Sequence, residues 1–107
     1  MEGYIYLIES LKNKKRYFGS TNNPAKRIKN HNSGNTLTTK FDRPWRCLLV
    51  INVGPIDKAR KIEKYIKTQK EKFTISNIIK SLNRYYVQSH SSVYSGKIED
   101  WTRSSVG

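Results

Sequence analysis

YIYLIESLKNKKRYFGSTNNPAKRIKNHNSG, Tyr4 to Gly34, is the stretch that decides how this chain folds. Residues 4–8 (YIYLI) form an unbroken apolar run of β-formers, the pattern of a strand covered on both faces. Residues 11–15 (LKNKK) are polar and suit a hairpin connection, and residues 16–20 (RYFGS) return as a second, antiparallel strand. A helix follows: Asn23 is placed to cap it, Pro24 suits its first position and Gly34 its exit. Within it Ala25 and Ile28 can face the core. Arg27 and His31 lie four residues apart, so both project from one side.

Working outward, residues 35–44 (NTLTTKFDRP) read as a polar loop and residues 45–53 (WRCLLVINV) as a third strand, with Cys47 packing as a small hydrophobe. Residues 56–73 are expected to form a long helix with Ile56, Ala59, Ile62, Ile66 and Phe73 in one arc. Glu63 falls in that same arc, where a carboxylate is costly unless it is paired, hydrogen-bonded or bound to a cation. Ile75, Ile78, Ile79 and Leu82 mark a short amphipathic helix, with Thr74 as its cap. Residues 85–88 (YYVQ) suggest an edge strand, and the serine-rich remainder a loosely packed tail. The order is thus ββαβαα. This is an α/β chain of the α+β kind, a small three-stranded antiparallel sheet flanked by helices, with one domain over residues 1–83 and a tail over 84–107.

Lysine and arginine total 21 against 8 acidic residues in 107, a formal charge of +13. Solubility needs only a few net charges. Such an excess is most simply understood if the partner is a polyanion, and nucleic acid is favoured over an acidic membrane. One cysteine excludes an intrachain disulfide. The first residues have no charged-then-apolar leader, and no apolar run approaches the roughly 20 residues of a membrane span. The expectation is a soluble protein of the cytoplasm.

His31 and His90 are far apart and Cys47 is alone, so no zinc pattern exists. No Ser/His/Asp arrangement or Gly-rich phosphate loop is present. The polar groups near the expected sheet are Tyr6, Tyr17, Arg27, His31 and Glu63. A tyrosine hydroxyl can position a water, or deprotonate it when nearby cations lower its pKa. Arginine offers phosphate a fork of donors, and histidine can pass a proton near neutral pH. A carboxylate can hold one hydrated divalent ion, Mg²⁺ or Mn²⁺, and Glu63 is the candidate; a salt bridge to a nearby lysine is the other use of that side chain. Together these parts suffice to hydrolyse a phosphodiester, although a tyrosine alone is more often a core filler than a catalyst.

YIY, then YFG with its tyrosine eleven residues after Tyr6, then a helix bearing Arg27 and HNSG, then a helix with Glu63, resembles the GIY-YIG nuclease superfamily. Tyr4 stands at the position of that name's glycine. The segment from His31 to Trp45 resembles the small single-domain bacterial members. The resemblance covers about residues 3–73. It implies a three-stranded antiparallel sheet with helices and a one-metal endonuclease. Tyr6 then corresponds to the tyrosine beside the attacking water, Tyr17 to the second-strand tyrosine, Arg27 to the phosphate-stabilising arginine, His31 to a proton-transfer position and Glu63 to the metal ligand. Asn77 corresponds only loosely to an asparagine many members use. Lys26, Lys29, Lys40 and Arg43 are the cations expected to hold the nucleic-acid backbone.

The expected activity is therefore a metal-dependent endonuclease on DNA, with RNA also open, and with a preference for branched, flapped or nicked structures of the repair or recombination type. So small a domain is expected to need a partner protein or a second copy for selective cutting. The rival expectations are a nucleic-acid-binding module of the same fold without turnover, and a basic structural protein of a ribonucleoprotein.

Overall fold

A computed structural model describes residues 1–90 and 98–99. Its elements are β1 (Glu2–Ser10), β2 (Arg16–Thr21), α1 (Pro24–Ser33), β3 (Trp45–Pro55), α2 (Ile56–Thr68), α3 (Ile75–His90) and β4 (Ile98–Glu99). The sheet order is β2-β1-β3-β4, with every pair antiparallel. Three long strands carry the sheet, as expected from the ββαβαα order, and β4 adds two residues to the outer edge of β3.

β1 is central, which explains its unbroken apolar run. Ile5 and Leu7 point to one face, where they meet Phe18, Leu49, Ile51 and Val53 and are covered by Ala59, Ile62 and Ile66 of α2 and Ile78, Leu82 and Tyr86 of α3. Tyr6 and Ile8 point to the other face, with Val50 and Trp45, under α1. Ser10 fixes the hairpin: its hydroxyl accepts the backbone N–H groups of Lys12 and Asn13 and donates to the Asp42 carbonyl at 2.6 Å.

The caps of α1 are those the sequence predicts. The Asn23 side chain accepts the Lys26 N–H, Pro24 occupies the first turn, and Gly34 ends the helix at φ 84°, a conformation that favours glycine. The inward stripe is Pro24, Ile28 and His31, with Arg27 alongside, and Ala25 is exposed rather than turned to the core. Bulky rings already fill that face of the sheet, so the helix presents its proline, isoleucine and imidazole there.

Two helix boundaries depart from expectation. α2 stops at Thr68 because the chain turns left-handed at Lys70 (φ 56°); Phe73 lies beyond the helix yet still packs on Phe18 at 5.6 Å between ring centroids. α3, capped by Thr74, runs past Leu82 to His90. Residues 85–88 are helical rather than an edge strand, because Ile78, Leu82 and Tyr86 continue a four-residue spacing that buries Tyr86 on the core, and this outweighs the β-preference of the tyrosines. The boundary at residue 83 lies inside this helix. The expected loose tail lies, apart from the end of α3 and β4, outside the described residues. No helix among the described residues is long and apolar enough to cross a membrane. Cys47 is half-buried at the margin of the α1-side cluster.

At the hairpin end of the sheet Glu9 is 5% exposed and stands directly across from Arg16 on β2 and Arg46 on β3. Each arginine donates two hydrogen bonds to one carboxylate oxygen, at 3.1 and 3.1 Å from Arg16 and 3.1 and 2.7 Å from Arg46. Arg46 first, then Arg16, holds the Glu9 carboxyl below its ordinary range. The native state therefore binds fewer protons than the unfolded chain, so this contribution is complete above the ordinary carboxylate pKa and is lost as pH falls through the native one. Glu9→Gln is expected to cost about 2 kcal/mol near neutral pH, low for a buried pair because both guanidiniums keep some water. Urea denaturation of both proteins should show that gap closing on acidification.

Candidate active site

Pairing of β1 with β2 sets Tyr6 directly opposite Gly19. A methyl group on Gly19 would lie 2.8 Å from the Tyr6 hydroxyl oxygen and 3.1 Å from a Tyr17 ring carbon. The bare backbone of Gly19 is therefore what lets the Tyr6 phenol lie across β2. Tyr6 is buried and Tyr17 half-buried, with 6.2 Å between their ring centroids, and the His31 ring lies 5.8 Å from the first and 5.0 Å from the second. Tyr4, at the glycine position of the family name, is half-buried at the margin of this cluster.

A directed hydrogen-bond chain runs through the group. Arg27 Nε donates to the Tyr6 oxygen at 3.3 Å, Tyr6 bonds His31 Nε2 at 2.9 Å, His31 Nδ1 bonds Thr39 Oγ1 at 2.7 Å, and Thr39 donates to the Thr36 carbonyl at 3.4 Å. With Thr39 donating to the Thr36 carbonyl, its oxygen accepts from His31 Nδ1–H, and this assigns Nε2 as the acceptor of the Tyr6 hydroxyl. The segment after α1 is anchored rather than a plain polar loop. Thr39 is buried, Lys40–Asp42 form a 3-10 turn, the Thr39 carbonyl accepts the Trp45 indole N–H at 2.9 Å, and the Asn32 amide bonds both backbone groups of Trp45.

Burial is the main force on both central groups. It pushes the Tyr6 phenol up to about 12, against the opposing pull of its Arg27 bond. It pushes His31 down to about 4, with repulsion from Arg27 adding to the effect. The Arg27 guanidinium is held further into its charged form, first by the Tyr6 bond. The cluster therefore rests as a neutral phenol, a neutral imidazole and one fixed positive charge. A Tyr6 acidified by nearby cations is not what the fold builds, because desolvation outweighs the single arginine.

Glu63 approaches from the other face. Ser20, the residue after Gly19, turns toward α2 and donates to Glu63 Oε1 at 2.5 Å, while Lys67 donates to Oε2 at 2.7 Å. The Lys67 ammonium also lies 5.8 Å from the Tyr17 ring centroid. Because β2 is the outer strand, the phenol cluster on one face and the carboxylate on the other meet around its open edge. Both uses foreseen for Glu63 thus remain chemically open: the lysine pair is formed, and the carboxylate stands beside the site.

No group of three histidine, cysteine or acidic side chains that could cage a metal exists among the described residues. One carboxylate beside one hydroxyl is nonetheless a fitting donor set for Mg²⁺ or Mn²⁺, which keep most of their waters and share substrate phosphate oxygens.

A cleft of about 290 Å³ at this edge is lined by Ser20, Thr21, Asn22, Arg27, Ile56 and Arg60. A neighbouring groove of about 500 Å³ is lined by Arg60, Glu63, Lys64, Lys67, Thr68 and Lys70. Of the cations expected to hold nucleic acid, Lys26, Lys29 and Arg43 are exposed, the Lys40 ammonium lies 4.9 Å from the Phe41 ring centroid, and none of the four lines either hollow. Asn77 donates to the Lys72 carbonyl at 3.1 Å and lines neither. Sequence reasoning passed over Ser20, Thr39, Gly19 as a spacer, and Arg60. Only Arg60 had a legible signal, its i, i+4, i+7 row with Lys64 and Lys67.

Gly19→Ala is expected to displace the Tyr6 phenol and cost about 1–3 kcal/mol through overpacking, measured by thermal denaturation. NMR titration of His31 should show a neutral imidazole well below the ordinary midpoint of about 6.5, changing only near 4. Since the native value is the lower one, the His31 contribution to stability is complete above about 6.5 and is lost as pH falls toward 4.

The family model of the GIY-YIG catalytic domain matches residues 2–77. No curated protein sequence matches the chain significantly. The matched span runs from β1 into the first turn of α3 and includes Tyr6, Tyr17, Arg27, His31 and Glu63. It covers more than half of the 107 residues, and the chain belongs to the GIY-YIG catalytic domain family, which is of nuclease type.

Proposed function

We propose that this protein is a divalent-metal-dependent endonuclease that hydrolyses DNA phosphodiester bonds at the open edge of β2. One observation carries the reading: the Arg27–Tyr6–His31 chain and the Glu63 carboxylate reach the same strand edge from opposite faces of the sheet.

The Arg27 guanidinium, at the mouth of the cleft, binds a phosphate oxygen and stabilises the charge that grows there in the transition state. Tyr6 orients the attacking water. With its pKa near 12 it does not wait as phenolate; it takes the water's proton while passing its own to His31 Nε2. His31 is held neutral by burial and by Arg27, and that is the state in which Nε2 can accept. The negative charge of a bound phosphate opposes the Arg27 repulsion as the imidazolium forms. Tyr17 flanks the water site, and Thr39 fixes the imidazole tautomer. One Mg²⁺ or Mn²⁺ on Glu63, when bound, supplies Lewis acidity to the phosphate and its leaving oxygen. A preference for branched, flapped or nicked DNA, in repair or recombination, is part of the proposal.

A second reading, a DNA-binding module without turnover, is favoured by the Glu63–Lys67 ion pair, in which a lysine takes the place a cation would fill. Incubation with plasmid and branched DNA, in Mg²⁺ or EDTA, separates the two. Metal-dependent cleavage that falls by about 100-fold or more in both Arg27→Ala and Glu63→Ala is the expected result. Cleavage unchanged by either substitution contradicts the proposal. Binding without cleavage under any divalent ion favours the second reading.

A further inference from the structure

Arg60 lines both hollows, so the cleft holding Arg27 and the groove beside Glu63 adjoin at this side chain. The groove's far side is cationic: Lys64 and Lys67 follow Arg60 on the same side of α2, and Lys70 lies just beyond the helix. Arg60, Lys64 and Lys70 give three cations along this row, enough to contact about three phosphates of one strand at one cation each.

Little else on the protein engages these charges. Arg60 reaches Asp57 only at 3.8 Å, with both side chains mostly exposed, and among the described residues no ion pair holds Lys64 or Lys70. Lys67 alone is committed, to Glu63. Lysines near the end of a helix can also offset its dipole, but that effect reaches only the last turn and leaves Arg60 and Lys64 unexplained.

We infer that the Arg60–Lys64–Lys70 row of α2 is the track for the DNA strand flanking the cleaved bond, holding about three successive phosphates while Arg27 engages the one at the cleft. This rests on the proposed function for the identity of the polymer. It goes beyond it by assigning the strand's path to α2 rather than to the Lys26, Lys29 and Arg43 surface that the sequence suggested. The path runs along the helix axis, so the strand leaves the site toward the C-terminal end of α2.

The test is the salt dependence of DNA binding, measured by fluorescence anisotropy on a duplex oligonucleotide in EDTA so that no cleavage intrudes. Wild type is compared with Arg60→Gln/Lys64→Gln/Lys70→Gln and with Lys26→Gln/Lys29→Gln/Arg43→Gln, each checked for folding by circular dichroism. Each lost phosphate contact removes about 0.9 from the slope of log affinity against log salt, so the α2 triple variant should lose about 2–3 and bind on the order of a hundredfold more weakly at about 0.1 M salt. The other triple variant should keep most of the wild-type slope. Lys64→Gln alone, which removes only one exposed side chain, should lose about 0.9 and serves if the triple variant fails to fold. A wild-type slope in the α2 variants, or loss of slope confined to the Lys26/Lys29/Arg43 variant, overturns the inference and leaves the proposed function standing. A wild-type protein that binds no DNA overturns both.

Discussion

A single hydroxyl group, on Tyr6, ties the sheet, the first helix and the following loop together. It accepts from Arg27 and donates to His31, and through His31 reaches Thr39. That bond is possible only because Gly19 stands opposite and leaves the phenol room. Remove the spacer and the chain of donors loses its middle link, so the register of one hairpin controls the alignment of three side chains from two other elements. The same burial that makes the cluster rigid sets its charge state. It keeps phenol and imidazole neutral and leaves Arg27 as the one charged member of the cluster, beside Arg60 in the lining of the cleft.

The sheet makes this arrangement affordable. β1 is apolar on both faces because both are covered, with a large aliphatic core under α2 and α3 and a smaller aromatic one under α1. Tyr6 and His31 are buried within the smaller core, while Tyr17 and Arg27 lie half-buried at its margin. β2 has no neighbour on its outer side among the described residues, so residues from the two faces can meet there, and Ser20 brings Glu63 to that edge. At the far end of the strands the Glu9 carboxylate, gripped by Arg16 and Arg46, holds three strands in register without taking part in the site.

What could be read in the sequence was local. The hairpin announces itself by two apolar runs about a polar connector, α1 by Asn23, Pro24 and Gly34, and the order of Tyr6, Tyr17, Arg27, His31 and Glu63 by spacing along the chain. What could not be read depends on tertiary partners. Nothing in the sequence around Thr39 says that its hydroxyl will meet an imidazole eight residues earlier, nor that Ser20 will find a carboxylate on α2. Tyr85 and Tyr86 look like strand residues until Leu82 and Ile78 are seen to share their helix face. Ala25 looks like a core residue until rings from the sheet occupy the space. Cations are the least legible of all, because a sequence with 21 of them gives no sign of which line a groove.

The central claim of the proposed function is geometric: a bound phosphate would lie at the β2 edge within reach of the Arg27 guanidinium, and Glu63 would hold the metal ion. Its most direct test is a crystal structure with Mn²⁺ and a DNA duplex bound before cleavage, with the metal located by anomalous scattering. The account predicts one anomalous peak on the Glu63 carboxylate, Lys67 moved off it, and a phosphate bridging that peak to Arg27. Lys67 still paired with Glu63 and no manganese there, or a phosphate bound away from Arg27, would contradict it.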